Sequence, residues 1–148
     1  LLVAGELWQN KNAYKKELKG LENYVRIIPR YILDNEVYRF FDVADICVLP
    51  YYNTEQTISG PLLVSLAFGK PTIVSPVGGI KEFLKDGEEV IFSPGGDVNK
   101  LSDDIIKLIN DTDRQAKLTK KAIIKDKIFS WENVAFEYHS VMKKVMEN

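Results

Sequence analysis

Three short segments of the 148-residue chain combine hydroxyls, glycines and a cation in ways that suit anion binding. The first is Ser59-Gly60-Pro61, which closes a polar stretch running from Pro50. A serine there can cap a helix, and proline is tolerated in the first turn because its absent N–H would be unpaired anyway. The N–H groups of such a helix start, beside a glycine that lets a ligand come close, make a ready site for phosphate. The same residues equally make a plain N-cap with no ligand. The second segment is Ser75-Pro76-Val77-Gly78-Gly79-Ile80-Lys81-Glu82, where paired glycines permit positive φ and close backbone approach, or simply a tight turn. The third, Pro29-Arg30-Tyr31-Ile32, offers a cation and an aromatic ring, either to a ligand or to solvent.

Other chemistry is thin. His139 is the only histidine, and no metal-ligand spacing or Ser-His-Asp arrangement surrounds it. No G-x-x-x-x-G-K-[ST] loop occurs, and no G-x-G-x-x-G follows an apolar run, which argues against a P-loop NTPase and a standard dinucleotide site. The single cysteine, Cys47, lies in an apolar run and reads as an inert buried side chain in a reducing compartment.

The elements that must position these segments follow from periodicity. Val- and Ile-rich runs at Leu1 to Ala4, Tyr24 to Ile28, Ile46 to Leu49, Thr72 to Val74 and Val90 to Phe92 are continuous rather than alternating, as expected of strands buried on both faces. Between them lie helical stretches at Ala13 to Leu21, Asn35 to Phe41, Ser59 to Phe68, Ile80 to Leu84 and Lys100 to Ile109. Asp34 or Asn35 is expected to cap the second and Asn99 the fifth, and Gly69 before Lys70-Pro71 is a helix stop. Leu101, Ile105, Leu108 and Ile109 make one helix face. Asp111 to Lys127 reads as a solvated helix, and a last helix begins at Ser130 with Val134, Tyr138, Val141, Met142 and Val145 on one stripe, the usual mark of a core face. Repeated strand–helix alternation implies a Rossmann-like, doubly wound parallel sheet in an α/β/α sandwich, with ligands at the carboxyl ends of the strands.

Composition agrees with one packed domain over 1–148: 45% of residues are hydrophobic and 28% charged. With 20 basic against 21 acidic residues there is no basic surplus for nucleic acid. The apolar runs fall far short of the roughly 20 residues that span a bilayer. The first residue is Leu1 and no methionine precedes Met142, so the chain reads as part of something longer.

Several motifs in order carry a family likeness: Ala44-Asp45-Ile46-Cys47-Val48-Leu49-Pro50, then Ser59-Gly60-Pro61-Leu62-Leu63, Ala67-Phe68-Gly69-Lys70-Pro71-Thr72-Ile73-Val74, Val77-Gly78-Gly79-Ile80-Lys81-Glu82 and Asp86-Gly87-Glu88-Glu89-Val90. Together they resemble the C-terminal, nucleotide-sugar-binding domain of group 1 (family 4) retaining glycosyltransferases of the GT-B fold, a likeness extending from Leu1-Leu2-Val3-Ala4-Gly5-Glu6 to Ser130-Trp131. The resemblance implies that Thr57, Ser59, Gly60, Gly78 and Gly79 serve the donor phosphate and sugar. It implies that Arg30, Tyr31 and Ile32 lie near the nucleotide base, and that no metal or other cofactor takes part. The implied partners are a nucleotide-sugar, an acceptor of unidentified class, and the chain's own N-terminal acceptor domain, with no nucleic acid. The implied location is cytoplasmic, either free or peripheral at the inner face of the membrane through that other domain.

Two departures stand out. Many members carry paired glutamates where this chain has Gln56 and Val64, and Glu55, one place away, is the loop carboxylate considered in their stead. A branch of the family that reads Thr-Gln-Ser-Gly here also lacks the pair, and Thr57-Ile58-Ser59-Gly60 is similar to it. The family domain also opens with a strand and a basic loop, whereas Leu1 to Gly5 matches its second strand. The absent strand would be central, leaving two half-sheets with open edges, so either the register is off by one strand, or residues before Leu1 are absent, or the fragment rearranges or swaps strands. With the acceptor half absent, the resemblance implies that the fragment is catalytically incomplete and that the last helix, which crosses back to the N-terminal domain, leaves part of its apolar face exposed. The alternatives are a degenerate, non-catalytic GT-B-like interaction module and a nucleotide-sugar epimerase of related fold. A phosphoacceptor signalling domain would need clustered aspartates after the first strand, where Gly5-Glu6-Leu7-Trp8 supplies one acid.

Overall fold

A computed structural model describes residues 1–7, 14, 16–52 and 59–147. The chain forms two compact units, Leu1–Val43 and Ala44–Asn148. All described strand pairs are parallel, and they make two sheets, of two and three strands, in keeping with the two half-sheets the sequence implies.

In the first unit, β1 (Leu2–Ala4) pairs with β2 (Arg26–Ile28) in the register Leu2↔Arg26, Val3↔Ile27, Ala4↔Ile28. The helix expected over Ala13 to Leu21 falls partly outside the described residues; within them Leu18 N–H donates to the Tyr14 carbonyl at 3.0 Å. Helix α1 spans Asp34–Asp42. Neither expected residue caps it. Asp34 is already helical, the cap position is Leu33, and Glu36 accepts the Leu33 N–H at 3.4 Å. None of the described residues of this unit is buried, so its strands are not covered on both faces as their sequence suggests; Leu2 and Val3 are each 39% exposed. Two short strands and a helix enclose too little volume to bury them.

The second unit holds the core. Strands β3 (Cys47–Leu49), β4 (Thr72–Val74) and β5 (Ile91–Phe92) lie in the order β3-β4-β5. Helix α2 (Gly60–Ala67) connects the first two and α3 (Ile80–Phe83) the next two; α4 (Val98–Ile109), α5 (Thr112–Ile128) and α6 (Trp131–Met146) follow. Side chains alternate across the sheet. Val74 and Phe92 join Leu62, Leu66, Val77, Ile80 and Ala122 in one cluster, while Ile73 and Ile91 join Leu108 and Leu118, with Leu101 and Ile105, in another. The two clusters sandwich β4, which is why Thr72, Ile73 and Val74 are all buried and read as an unbroken apolar run.

Helix ends follow the local chemistry, with corrections. Ser59 caps α2, as expected. At its other end Gly69 takes φ +60°, Lys70 N–H donates to the Ser65 carbonyl and Gly69 N–H to that of Leu66, both at 2.9 Å: a Schellman stop. A Cβ on Gly69 would also come within 2.9 Å of Ile123 Cδ1, so glycine is required for α5 to pack closely. Asp97 rather than Asn99 caps α4, accepting the Lys100 N–H at 2.9 Å, and the helix starts two residues earlier than periodicity suggests. Helix α5, capped by Asp111, is not merely solvated: Leu118 and Ala122 are fully buried, one in each cluster. Helix α6, capped by Ser130, has the reverse outcome. Its stripe is not core: Tyr138, Val141, Met142 and Val145 are exposed, and Trp131 at its start is 87% exposed.

Candidate functional site

The carboxyl ends of β3, β4 and β5 open onto three turns: Pro50 onward, Ser75 to Gly79, and Ser93 to Asp97. The middle of the first, 53–58, carries Glu55, Gln56 and Thr57 and lies outside the described residues. Its two ends are well defined. Tyr51 leaves β3 with its N–H donating to the Leu49 carbonyl at 3.0 Å and its ring packed against the α2-side core. Ser59 re-enters the fold at the α2 N-terminus, only 7% exposed. Leu62 N–H donates to Ser59 Oγ at 3.3 Å and to the Ser59 carbonyl at 3.1 Å. Tyr51 Oη and Ser59 Oγ are hydrogen-bonded to each other, which ties the strand end to the helix start.

The first turn of α2 therefore accounts for its own donors in a specific way. Pro61 has none, and that of Leu62 is taken by Ser59, so Gly60 supplies the remaining N–H at an exposed position. The helix dipole places partial positive charge at the same point. This arrangement can hold an anionic oxygen. Val64, where the resemblance leads one to expect an acid, sits half-buried on α2, and its side chain offers no hydrogen bond.

Gly78 and Gly79 follow β4, the strand next to β3 in the sheet. Gly78 adopts φ +49°, the left-handed conformation that favours glycine, whereas Gly79 is right-handed and opens α3. Ser59-Gly60 and Gly78-Gly79 thus stand on the same carboxyl edge of one sheet. Arg30, Tyr31 and Ile32 belong to the first unit, where Tyr31 is exposed and Ile32 half-buried. Arg30 is not an unengaged cation: its two terminal nitrogens donate to the two oxygens of Glu36 at 2.7 and 2.8 Å. That bidentate contact holds the Glu36 carboxyl below its ordinary range and raises the guanidinium further.

Reasoning from sequence did not single out Tyr51 or Glu36, because the contacts of each depend on where a turn returns the chain. It also missed a cavity of about 130 Å³ at the ends of β3–β5, lined by Leu49, Val74, Ser75, Ser93, Asp97 and Leu101. Ser93 Oγ is buried there with no hydrogen-bond partner among the described residues. Cys47 is half-buried rather than fully buried, and burial pushes its thiol up to about 11, so it remains protonated and unreactive at neutral pH. His139 lies exposed on α6. Among the described residues no three His, Cys, Asp or Glu side chains converge as metal ligands, and no helix is long and apolar enough to cross a membrane.

Comparison with known proteins places the chain. The profile of the family described as Glycosyl transferases group 1 matches residues 1–111. The D-inositol 3-phosphate glycosyltransferase of Thermobispora bispora is 26% identical over 128 residues, covering 86% of this chain and 29% of that protein. The lipopolysaccharide 1,2-N-acetylglucosaminetransferase of Salmonella typhimurium is 26% identical over 110 residues, covering 74% of this chain and 29% of its own length. The chain thus spans about three-tenths of these relatives. Among solved structures, Anabaena HepE in complex with UDP superposes with a TM-score of 0.82 at 19% identity, covering 97% of this chain and 40% of that one. Sucrose-phosphate synthase from Thermosynechococcus elongatus gives 0.77 at 23% identity, covering 99% and 38%. The parallel α/β architecture is that of GT-B glycosyltransferase domains.

Proposed function

The chain belongs to the group 1 glycosyl transferases, and on that premise we propose that it is the donor-binding part of an enzyme that moves a sugar from a nucleotide-sugar to an acceptor with retention of configuration. The observation that carries this reading is the serine-capped, exposed start of α2 at the carboxyl end of a parallel strand, in a chain of this family. Departure of the nucleoside diphosphate concentrates negative charge on the leaving oxygen. A fixed helix N-terminus, the Gly60 N–H and the Ser59 hydroxyl stabilise that charge without reorganising. Thr57, Gly78 and Gly79 complete the phosphate and sugar side of the site in this reading. The family resemblance is the support for placing Arg30, Tyr31 and Ile32 near the base. The complexes of Anabaena HepE with UDP, with UDP and glucose, and with UDP-glucose support the ligand class.

The acceptor, in this proposal, is held by a further N-terminal domain, and the 148 residues are catalytically incomplete. Positioning of the two substrates then supplies much of the rate, with no metal or other cofactor taking part. The enzyme works in the cytoplasm, at the inner face of the membrane where the acceptor domain attaches it. Calorimetric titration of the complete protein with UDP-, GDP- and ADP-sugars tests the reading, and saturable binding to one of them is expected. A second reading, a degenerate module kept for assembly, is favoured by one observation: neither Gln56 nor Val64 supplies the acid found in many relatives. Saturable binding to none of the donors would select it.

A further inference from the structure

The contact between Tyr51 and Ser59 does more than close a turn. Ser59 Oγ has one proton to give and two lone pairs to offer. Leu62 N–H occupies one lone pair at 3.3 Å, and the Tyr51 hydroxyl lies against the same oxygen. Of the two hydroxyls the phenol is much the stronger acid, ionising near ~10 in water, and its oxygen lone pairs are drawn into the ring. It is therefore the better donor, and serine the better acceptor. Burial raises the Tyr51 value further, so the phenol keeps its proton across the neutral range. With both lone pairs filled, Ser59 has only its own proton left to contribute, and only an acceptor such as an anionic oxygen can take it.

The phenol is held so that this polarity persists. Its ring packs against the core beneath α2, and its backbone passes so close to Gly95 that a Cβ there would lie 2.3 Å from the Tyr51 carbonyl oxygen. Packing of the ring needs no hydroxyl.

We propose that Tyr51 is a positioning residue for the donor: its hydroxyl fixes that of Ser59 so that Ser59 donates to a phosphoryl oxygen at the α2 N-terminus. This rests on the donor-site reading above and adds to it a residue that does not itself touch the substrate. Saturation-transfer-difference NMR on the full chain, with UDP and with uridine as probes, tests it. Tyr51→Phe is expected to weaken UDP about five- to tenfold, the scale of one hydrogen bond, and to leave uridine unchanged. Ser59→Ala weakens UDP at least as much, and adding Tyr51→Phe to it costs nothing further. Equal weakening of both probes, an unchanged UDP affinity in Tyr51→Phe, or additive losses in the double variant overturns the proposal while leaving the donor site standing. Failure of the unsubstituted chain to bind UDP, GDP or ADP overturns the donor-site reading, and this one with it; where GDP or ADP is the one bound, it and its nucleoside replace UDP and uridine as probes.

Discussion

Glycine has two different meanings at the turns of the second unit. At Gly60 nothing lies within 4 Å of where a Cβ would stand, whereas at Gly95 a Cβ meets the Tyr51 carbonyl oxygen at 2.3 Å. Gly60→Ala is therefore expected to change stability by less than about 0.5 kcal/mol, and Gly95→Ala to cost roughly 1–3 kcal/mol through forced backbone movement. Urea unfolding of the two variants checks the contrast. The Arg30–Glu36 pair makes a second residue-scale prediction. Contact with Arg30 lowers the folded-state value of Glu36 below its ordinary one. Its contribution is thus present above the unfolded carboxylate value and fades as pH falls through the folded one. The difference in melting temperature between the natural chain and Glu36→Gln should therefore be seen at pH 7 and shrink as pH falls below the ordinary carboxylate range. Because half of the Arg30 side chain and a quarter of that of Glu36 remain open to solvent, which screens the pair, the effect at neutral pH is small.

Helices α5 and α6 are alike in length but are used oppositely. Leu118 on α5 is fully buried between α4 and the sheet, so Leu118→Ala should cost about 2–5 kcal/mol in chemical denaturation. On α6, Val141, Met142 and Val145 are exposed, and replacing all three by serine should shift stability by less than about 1 kcal/mol. The sequence pattern points the other way, with a cleaner apolar stripe on α6 than on α5. Periodicity reports that a face is apolar; whether anything covers it depends on the rest of the fold. The caps tell the same story at shorter range. Ser59 and Ser130 were legible because an oxygen beside a helix start has one nearby use. Asp97 was not, because Asp97 and Asn99 are both competent caps and the choice depends on where the turn after β5 ends.

The whole chain joins a unit with a real core to one without. All the buried residues described lie beyond Val43, and the two sheets contain two and three strands. In the proposed reading, the purified 148-residue chain should release no nucleoside diphosphate above the uncatalysed rate when given a nucleotide-sugar and acceptor. A coupled assay for the released diphosphate measures this, and sustained turnover would refute the incomplete-enzyme reading.

Some properties of this protein needed only its sequence. Alternating apolar runs and amphipathic stretches specify parallel α/β structure, and Ser59-Gly60-Pro61 and Gly69-Lys70-Pro71 specify a helix start and stop. These are local, set by a few residues' own backbone preferences and hydrogen-bonding groups. The tertiary structure alone decided that Arg30 is spent on Glu36, that Tyr51 reaches Ser59, and that α5 is core while α6 is bare. Each depends on which atoms a distant part of the chain brings within a few ångströms. Burial and hydrogen-bond pairing belong to that assembly and not to any residue taken singly.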